Sequence, residues 1–164
     1  MSSPGLFTAV RLGTARRASG GNNIDFTAVD FETTALHPGR IIEIGAVRIN
    51  GDGSTLAELS TLVNPGKGVN PGATWVHRIT REQLDNAPSI GDVLGDLLEL
   101  CRDSVLVAHN LPFEEKFLAH ELQRHGIRLR GIPGLCTLAA SRTTLRLPNY
   151  KLGTVVHALG LDAV

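Results

Sequence analysis

The feature that most constrains the fold is the turn Asn50-Gly51-Asp52-Gly53, which separates two β-rich runs. Residues 40–49 precede the turn and residues 56–63 follow it, and Asn-Gly and Asp-Gly pairs are typical of tight hairpins. Residues 24–32 form a third β-rich run, which ends in acidic side chains. The three runs predict an antiparallel meander at the start of the folded region.

Helical periodicity replaces strand character after the meander. Residues 88–101 and 112–125 carry apolar side chains at helical spacing, and the apolar run 104–108 between them is typical of a buried strand. Shorter helices are predicted at 135–142 and 151–159. A meander followed by alternating helices and strands predicts an α/β domain, with a mixed β-sheet flanked by helices.

Length and composition indicate the domain organisation. A chain of 164 residues can build one domain with a hydrophobic core and is short for two. Residues 1–23 lack acidic side chains, show no clear amphipathic stripe and contain no secretory apolar run. We expect them to form a disordered tail, with a targeting role left open, and residues 24–164 to form the folded domain.

Charge and apolar content bear on partners and compartment. The formal net charge is zero, so no excess of positive charge indicates nucleic acid, although an acidic site and distant basic patches can cancel in the sum. No stretch approaches the roughly twenty apolar residues of a membrane span. Cys101 and Cys136 fit reduced core residues better than a disulfide framework. We therefore expect a cytoplasmic protein without membrane contact.

The first candidate site lies at the end of the first predicted strand. Residues two apart in a strand project to the same side, so Asp30 and Glu32 point together while Phe31 points to the opposite layer. Burying two neighbouring carboxylates is costly unless a cation compensates, and hard divalent metals prefer oxygen ligands. The alternative is a strand edge with two solvated acids, because Asp-x-Glu alone is a common triplet.

The second candidate site lies where the predicted buried strand 104–108 runs into a helix. Asn110 occupies the connecting loop and Glu114 the first helical turn. Ligands of open α/β sheets bind at strand carboxyl ends, and the helix dipole favours a carboxylate at this position. The alternatives are an ordinary turn residue for Asn110 and an ordinary helix-start acid for Glu114.

Four motifs in a fixed order carry a resemblance to a known family. They are Asp-Phe-Glu-Thr-Thr at 30–34, Arg-Ile-Ile-Glu-Ile-Gly-Ala-Val at 40–47, His77-Arg78-Ile79-Thr80, and Ala-His-Asn-x-x-Phe-Glu-x-x-Phe-Leu at 108–118. This order resembles the DEDD superfamily of exonucleases and looks most like its DEDDh branch, which contains the proofreading subunit of bacterial replicative polymerases. The resemblance extends over residues 25–161.

The resemblance implies a ribonuclease H-like fold and a metal-dependent 3′–5′ exonuclease that uses two Mg²⁺ or Mn²⁺ ions. Asp30, Glu32 and Glu114 would be the catalytic metal ligands, with Asp30 touching both ions. The implied partners are a nucleic acid with a 3′ end, single-stranded DNA being favoured over RNA, and a DNA polymerase subunit. The implied substrate-binding residues are Thr33, Thr34, Leu36, His77, Asn110 and Phe113. A packing or helix-capping role is the alternative for His77.

The sequence departs from the family pattern at three places. Glu114 stands where Asp is usual, and Ala35 stands where glycine is usual, which costs roughly 1 kcal/mol if the position needs a positive φ. The family also ends in a His-x-x-x-x-Asp motif, which His157 and Asp162 match in spacing. However, residues 150–161 also resemble the helix that precedes this motif, and their apolar periodicity favours the motif lying beyond Val164.

Two functions from different classes follow. The first is a 3′–5′ exonuclease, and the second is a catalytically impaired nucleic-acid-binding or polymerase-associated module that keeps the fold. With one Trp and one Tyr, the chain offers little aromatic stacking for a general single-strand binder. Six basic residues are either phosphate contacts or members of solvated faces: Arg124, Arg128, Arg130, Arg142, Arg146 and Lys151.

Overall fold

One six-stranded mixed β-sheet organises the described part of the protein. The computed structural model describes residues 7–9, 24–36, 39–129 and 131–161. Its strands are β1 (Phe7–Ala9), β2 (Asp25–Thr33), β3 (Ile41–Ile49), β4 (Thr55–Leu62), β5 (Ser104–Ala108) and β6 (Ile132–Cys136). Its helices are α1 (Thr74–His77), α2 (Arg81–Asp85), α3 (Ile90–Cys101), α4 (Leu111–Arg124), α5 (Thr137–Thr144) and α6 (Leu152–Ala158).

The strand order β1-β6-β5-β2-β3-β4 confirms the predicted α/β fold with a mixed sheet. β2, β3 and β4 form the antiparallel meander, and β2, β5, β6 and β1 run parallel to one another. The side-chain carboxamide oxygen of Asn50 accepts hydrogen bonds from the backbone N–H groups of Asp52 and Ser54 and so closes the predicted turn between β3 and β4.

The main core lies between one face of the sheet and helices α3 and α4. Alternate residues of β2, Val29 and Phe31, are buried on this face opposite Ala46 and Ile44 of β3. The helices contribute the apolar stripes that the sequence predicts, including Leu97 of α3, and all of these side chains belong to one cluster. Because Phe31 points into this core, its neighbours Asp30 and Glu32 project from the other face.

Several elements were not predicted. β6 contains Pro133 and Gly134, which weaken any strand signal in the sequence. β1 pairs with β6, so the prediction of a disordered tail was wrong at residues 7–9, while residues 1–6 and 10–23 lie outside the described residues. The short helices α1 and α2 were also missed. Among the described residues, no helix is long and apolar enough to cross a membrane.

A buried ion pair joins helix α4 to the chain entering β3. Glu121 is 1% exposed, and its two carboxylate oxygens accept hydrogen bonds from the Arg40 guanidinium at 2.6 and 3.2 Å. Arg40 also donates to the backbone carbonyl of Pro65 at 2.8 Å. A carboxylate this deeply buried requires such a partner, because an unpaired charge in the interior is costly.

Glu121→Ala should destabilise the fold by about 3–5 kcal/mol, since it leaves the Arg40 charge without its buried partner. The matched control is Glu99→Ala, which removes an exposed pair with Arg102 and should cost less than about 1 kcal/mol. Urea denaturation of the three proteins measures both free energies of unfolding. Equal losses in the two variants would contradict this account of the buried pair.

Candidate active site

The acidic end of β2 forms the first part of the site. Asp30 is exposed and Glu32 is half-buried, on the sheet face opposite the main core. Burial of Glu32, followed by the negative charge of Asp30, raises the pKa of the Glu32 carboxyl group, while the neighbouring His77 opposes this shift. Glu43, paired with Glu32 across β2 and β3, adds a further repulsive charge. The strand thus brings the two predicted carboxylates close enough to repel each other.

Glu114 of helix α4 completes the group. It is 4% exposed, and its Oε2 atom has no hydrogen-bond partner within the described residues. Burial, followed by the charges of Asp30 and Glu32, raises the pKa of Glu114 to about 8, although the backbone N–H of Phe31 donates a hydrogen bond that favours the charged form. The charges of Asp30 and Glu32 thus act on Glu114, so the three residues that the sequence predicts as metal ligands lie in one region of the structure.

This donor set fits divalent cations in an open site. Asp30, Glu32 and Glu114 offer oxygen ligands, and the unpartnered buried oxygen of Glu114 lacks the partner that a cation would supply. Among the described residues, no three His, Cys, Asp or Glu side chains are placed so that together they could hold a metal ion. Mg²⁺ usually keeps several waters and binds one or two carboxylates together with substrate phosphates, so such an arrangement is not required in advance.

The loop after β2 is held from two sides. Thr34 is buried, and its hydroxyl accepts the backbone N–H of Arg40 at 3.0 Å, so this side chain is engaged within the loop. The Lys116 ammonium of α4 donates to the backbone carbonyl of Leu36, whose side chain is exposed. Thr33 donates its hydroxyl to the backbone carbonyl of Ala35. The backbone φ of Ala35 is not positive, so the predicted strain does not arise there.

The segment around α1 forms another side of the site. Gly72 has a φ of +89°, and a Cβ atom on it would lie 1.7 Å from the carbonyl oxygen of Thr34, so only glycine fits. Both ring nitrogens of His77 bond to backbone, with the Pro71 carbonyl at 3.2 Å and the Ile79 N–H at 3.0 Å. These bonds support the packing role left open for His77, which nevertheless lies close enough to influence Glu32.

The loop between β5 and α4 contains the remaining predicted substrate residues. Asn110 precedes α4 in a left-handed conformation with a φ of +85°, which Asn tolerates better than most residues. Phe113 is half-buried and packs on Phe117 with ring centroids 4.8 Å apart. Nearby, the imidazole of His109 bridges the Thr137 hydroxyl at 3.0 Å and the Tyr150 carbonyl at 2.8 Å. The last contact ties the end of β5 to the segment that enters α6.

The structure describes only the first of the two defining residues, His157 and Asp162, of the possible final motif. His157 is exposed on α6, and Asp162 lies outside the described residues. The apolar face predicted for this helix is buried only in part, since Val155 is 5% exposed but Leu152 and Leu159 are 54% and 52% exposed. Leu152 lines a groove of about 590 Å³ that also contains Asp30 and His109. That the final motif lies beyond Val164 stays a prediction.

Sequence reasoning missed the residues that hold the site together. Within the part of the chain that the structure describes, Arg40, Glu121 and Lys116 form no hydrogen bond or ion pair with the three carboxylates, but they fix the loop after β2 against α4. A signal was present in the sequence: Glu121 lies seven residues after Glu114, on the same helical face as apolar side chains. A carboxylate buried among apolar side chains requires either a compensating partner or a bound proton.

Comparison with known proteins identifies the family. The family model described as Exonuclease (RNase_T) matches residues 27–164. The chain belongs to this exonuclease family. The DNA polymerase III subunit epsilon of Treponema pallidum is 39% identical over 153 residues, which cover 83% of the chain and 68% of that protein. The PolC-type DNA polymerase III of Thermotoga maritima is 39% identical over 142 residues, covering 83% of the chain but only 10% of that protein.

Solved exonuclease structures share the fold. The nuclease domain of 3′hExo, a DEDDh family member bound to rAMP, has a TM-score of 0.71 at 18% identity and covers 87% of the chain and 82% of that domain. Exonuclease X in complex with 5′ overhanging duplex DNA has a TM-score of 0.63 at 26% identity, covering 82% of the chain and 73% of that protein. The predicted family and its ribonuclease H-like fold are thereby confirmed.

Glu114→Gln should flatten the pH dependence of stability when divalent cations are absent. Since the pKa of Glu114 is raised from 4.5 to about 8 in the fold, its protonated form contributes stability that is complete below about pH 4.5 and is lost as the pH rises through 8. The slope is at most about 1.4 kcal/mol per pH unit. Thermal melts in EDTA across this range measure it.

Glu115→Gln is the matched control, because it makes the same change on the same helix and should keep the wild-type slope. Adding Mn²⁺ at the alkaline end should stabilise the wild type more than Glu114→Gln, since a cation binds the ionised carboxylate. The explanation fails if the wild type and Glu114→Gln lose stability in parallel with rising pH.

Proposed function

We propose that this chain is a metal-dependent 3′–5′ exonuclease, which hydrolyses terminal phosphodiester bonds of DNA, or of RNA, and releases nucleoside monophosphates. The observation that carries the proposal is the buried, unpartnered carboxyl oxygen of Glu114 beside Asp30 and Glu32. Such a group is unfavourable in a resting fold and becomes favourable once a cation and a phosphate complete it. Membership of the exonuclease family supports the same reaction.

Each carboxylate would have a distinct part in the reaction. Divalent cations, Mg²⁺ or Mn²⁺, would supply an activated water and neutralise charge on the phosphate. Asp30 is exposed and would be the ligand most accessible to both cations and substrate. Glu114 must release its proton before it can bind, and the N–H of Phe31 then holds the ionised carboxylate in place. Glu32, close to both acids, would complete the ligand set.

The relatives support a DNA substrate and a polymerase partner. Two of them are named as DNA polymerase III proteins, and exonuclease X was solved with 5′ overhanging duplex DNA. We infer a substrate with a free 3′ end, single-stranded DNA being favoured, and an association with a polymerase subunit. The chain spans about a tenth of the PolC-type relatives. A role beside a replicative polymerase would place the protein in the cytoplasm.

A second candidate function is a nucleic-acid-binding module without efficient hydrolysis. One observation favours it: the third carboxylate is Glu114, which is 4% exposed and has a pKa of about 8, so near neutral pH much of it carries a proton. A protonated ligand binds cations weakly. This module would bind the same strands but release mononucleotides slowly, and would do so faster as the pH rises above 8.

Asp30→Ala should reduce metal-dependent release of mononucleotides by at least about 100-fold, because it removes the most accessible of the proposed metal ligands. The assay uses a 5′-labelled single-stranded oligonucleotide with Mg²⁺, Mn²⁺ or EDTA and follows shortening from the 3′ end. The matched control is Asp96→Ala, which removes an exposed acid of α3 and should keep wild-type activity.

A second oligonucleotide with a blocked 3′ end tests the direction of cleavage. Wild-type protein should shorten the free strand stepwise and leave the blocked strand intact. Full activity in Asp30→Ala would refute the site assignment. Binding of the free strand without shortening in either metal would instead support the second candidate function.

A further inference from the structure

The single tryptophan of the chain lies almost entirely in solvent. Trp75 of α1 is 82% exposed, and the next residue, Val76, is 67% exposed. Tryptophan is usually buried over most of its surface, because its large ring gains more from burial than most side chains. An exposed indole beside a second exposed apolar side chain is therefore unexplained by packing and is typical of a surface that contacts another molecule.

This exposed pair is connected to the carboxylates. Gly72 lies against the backbone of Thr34, which fixes the chain before α1 to the loop after β2. His77 follows Val76 directly and affects the pKa of Glu32. The segment carrying Trp75 is thus anchored on both sides to parts of the candidate active site.

A strained basic residue ends the same segment. Arg78 closes α1 in a left-handed conformation with a φ of +61°, which costs free energy for most residues other than glycine. Its guanidinium group makes no hydrogen bond or ion pair with the described part of the chain. Strain of this kind persists where the surroundings enforce it, and it is enriched at binding and catalytic sites. The combination of a cation and an indole matches the backbone and bases of a nucleic acid.

We propose that Trp75 is a specificity-determining residue that stacks on a base near the 3′ end of a single strand, while Arg78 contacts the adjoining phosphate. The proposal rests on the exonuclease function proposed above and adds a recognition element to that site. Stacking on an aromatic ring tolerates any base, because every base has a π-face, so this contact would select unpaired strands over duplex without selecting a sequence.

Intrinsic fluorescence tests the proposal directly, since Trp75 is the only tryptophan. The full chain in EDTA, where metal-dependent hydrolysis stops, is titrated with a short deoxythymidine oligonucleotide and with an abasic oligonucleotide of equal length. Stacking should quench the emission with the first strand and leave it nearly unchanged with the second. Binding of both strands is followed independently by the anisotropy of a label on each oligonucleotide.

Trp75→Ala should weaken binding of the base-containing strand by about tenfold and raise the KM of cleavage with kcat nearly unchanged. Trp75→Phe should restore part of the affinity, because a smaller ring still stacks. The matched control is Leu56→Ala, which removes another exposed apolar side chain, on β4, and should change neither value.

Arg78→Gly separates recognition from folding. It should raise thermal stability by relieving the left-handed strain, and at the same time it should raise KM and reduce the salt dependence of binding. The inference is overturned if strand binding leaves the emission of the wild-type protein unquenched and Trp75→Ala cleaves with the KM of the wild type. Cleavage by the wild-type protein would in that case leave the proposed function standing. Absence of both binding and cleavage would overturn the proposed function and, with it, this inference.

Discussion

The crowding of three carboxylates is the constraint on which the site depends. Asp30, Glu32 and Glu114 repel one another, and Glu114 is also removed from water, so the protein holds part of this charge as a bound proton. The parallel pairing of β2 with β5 enforces this crowding, because it places the start of α4 against the end of β2. The fold therefore keeps an unfavourable arrangement of charge, which a bound proton relieves in part and a cationic ligand would relieve further.

The surrounding contacts explain how this arrangement persists. Glu121 is as deeply buried as Glu114, but both of its oxygens bond to the Arg40 guanidinium, so it stabilises the position of α4. Glu114, whose Oε2 atom is unpartnered among the described residues, destabilises the position of the same helix. Arg40 is in turn bonded to Thr34, so the helix and the loop after β2 are positioned as one unit. Two buried glutamates of α4 thus have opposite effects on stability, because Glu121 has an arginine partner and Glu114 has none among the described residues.

Much of the fold could be predicted from local patterns. The Asn50–Gly53 turn fixed the register of β3 and β4, and apolar periodicity located α3, β5 and α4 to within two residues at each end. The two acidic positions of β2 followed from strand alternation alone. β6 could not be predicted, because Pro133 and Gly134 are poor strand residues that only the neighbouring strands stabilise. The proximity of Glu114 to β2 was predicted from the family resemblance. No local pattern specifies a contact between Glu114 and Asp30 or Glu32, which lie 84 and 82 residues earlier in the chain.

The pairing of β1 with β6 also covers the outer side of β6 at the edge of the sheet. β6 has β1 on its outer side, and it carries Pro133, which has no backbone N–H to donate to a neighbouring strand. Proteins use proline in this way to keep an unpaired border from recruiting foreign strands. Detachment of the three-residue strand β1 would therefore expose a strand that contains one residue unable to donate a backbone hydrogen bond.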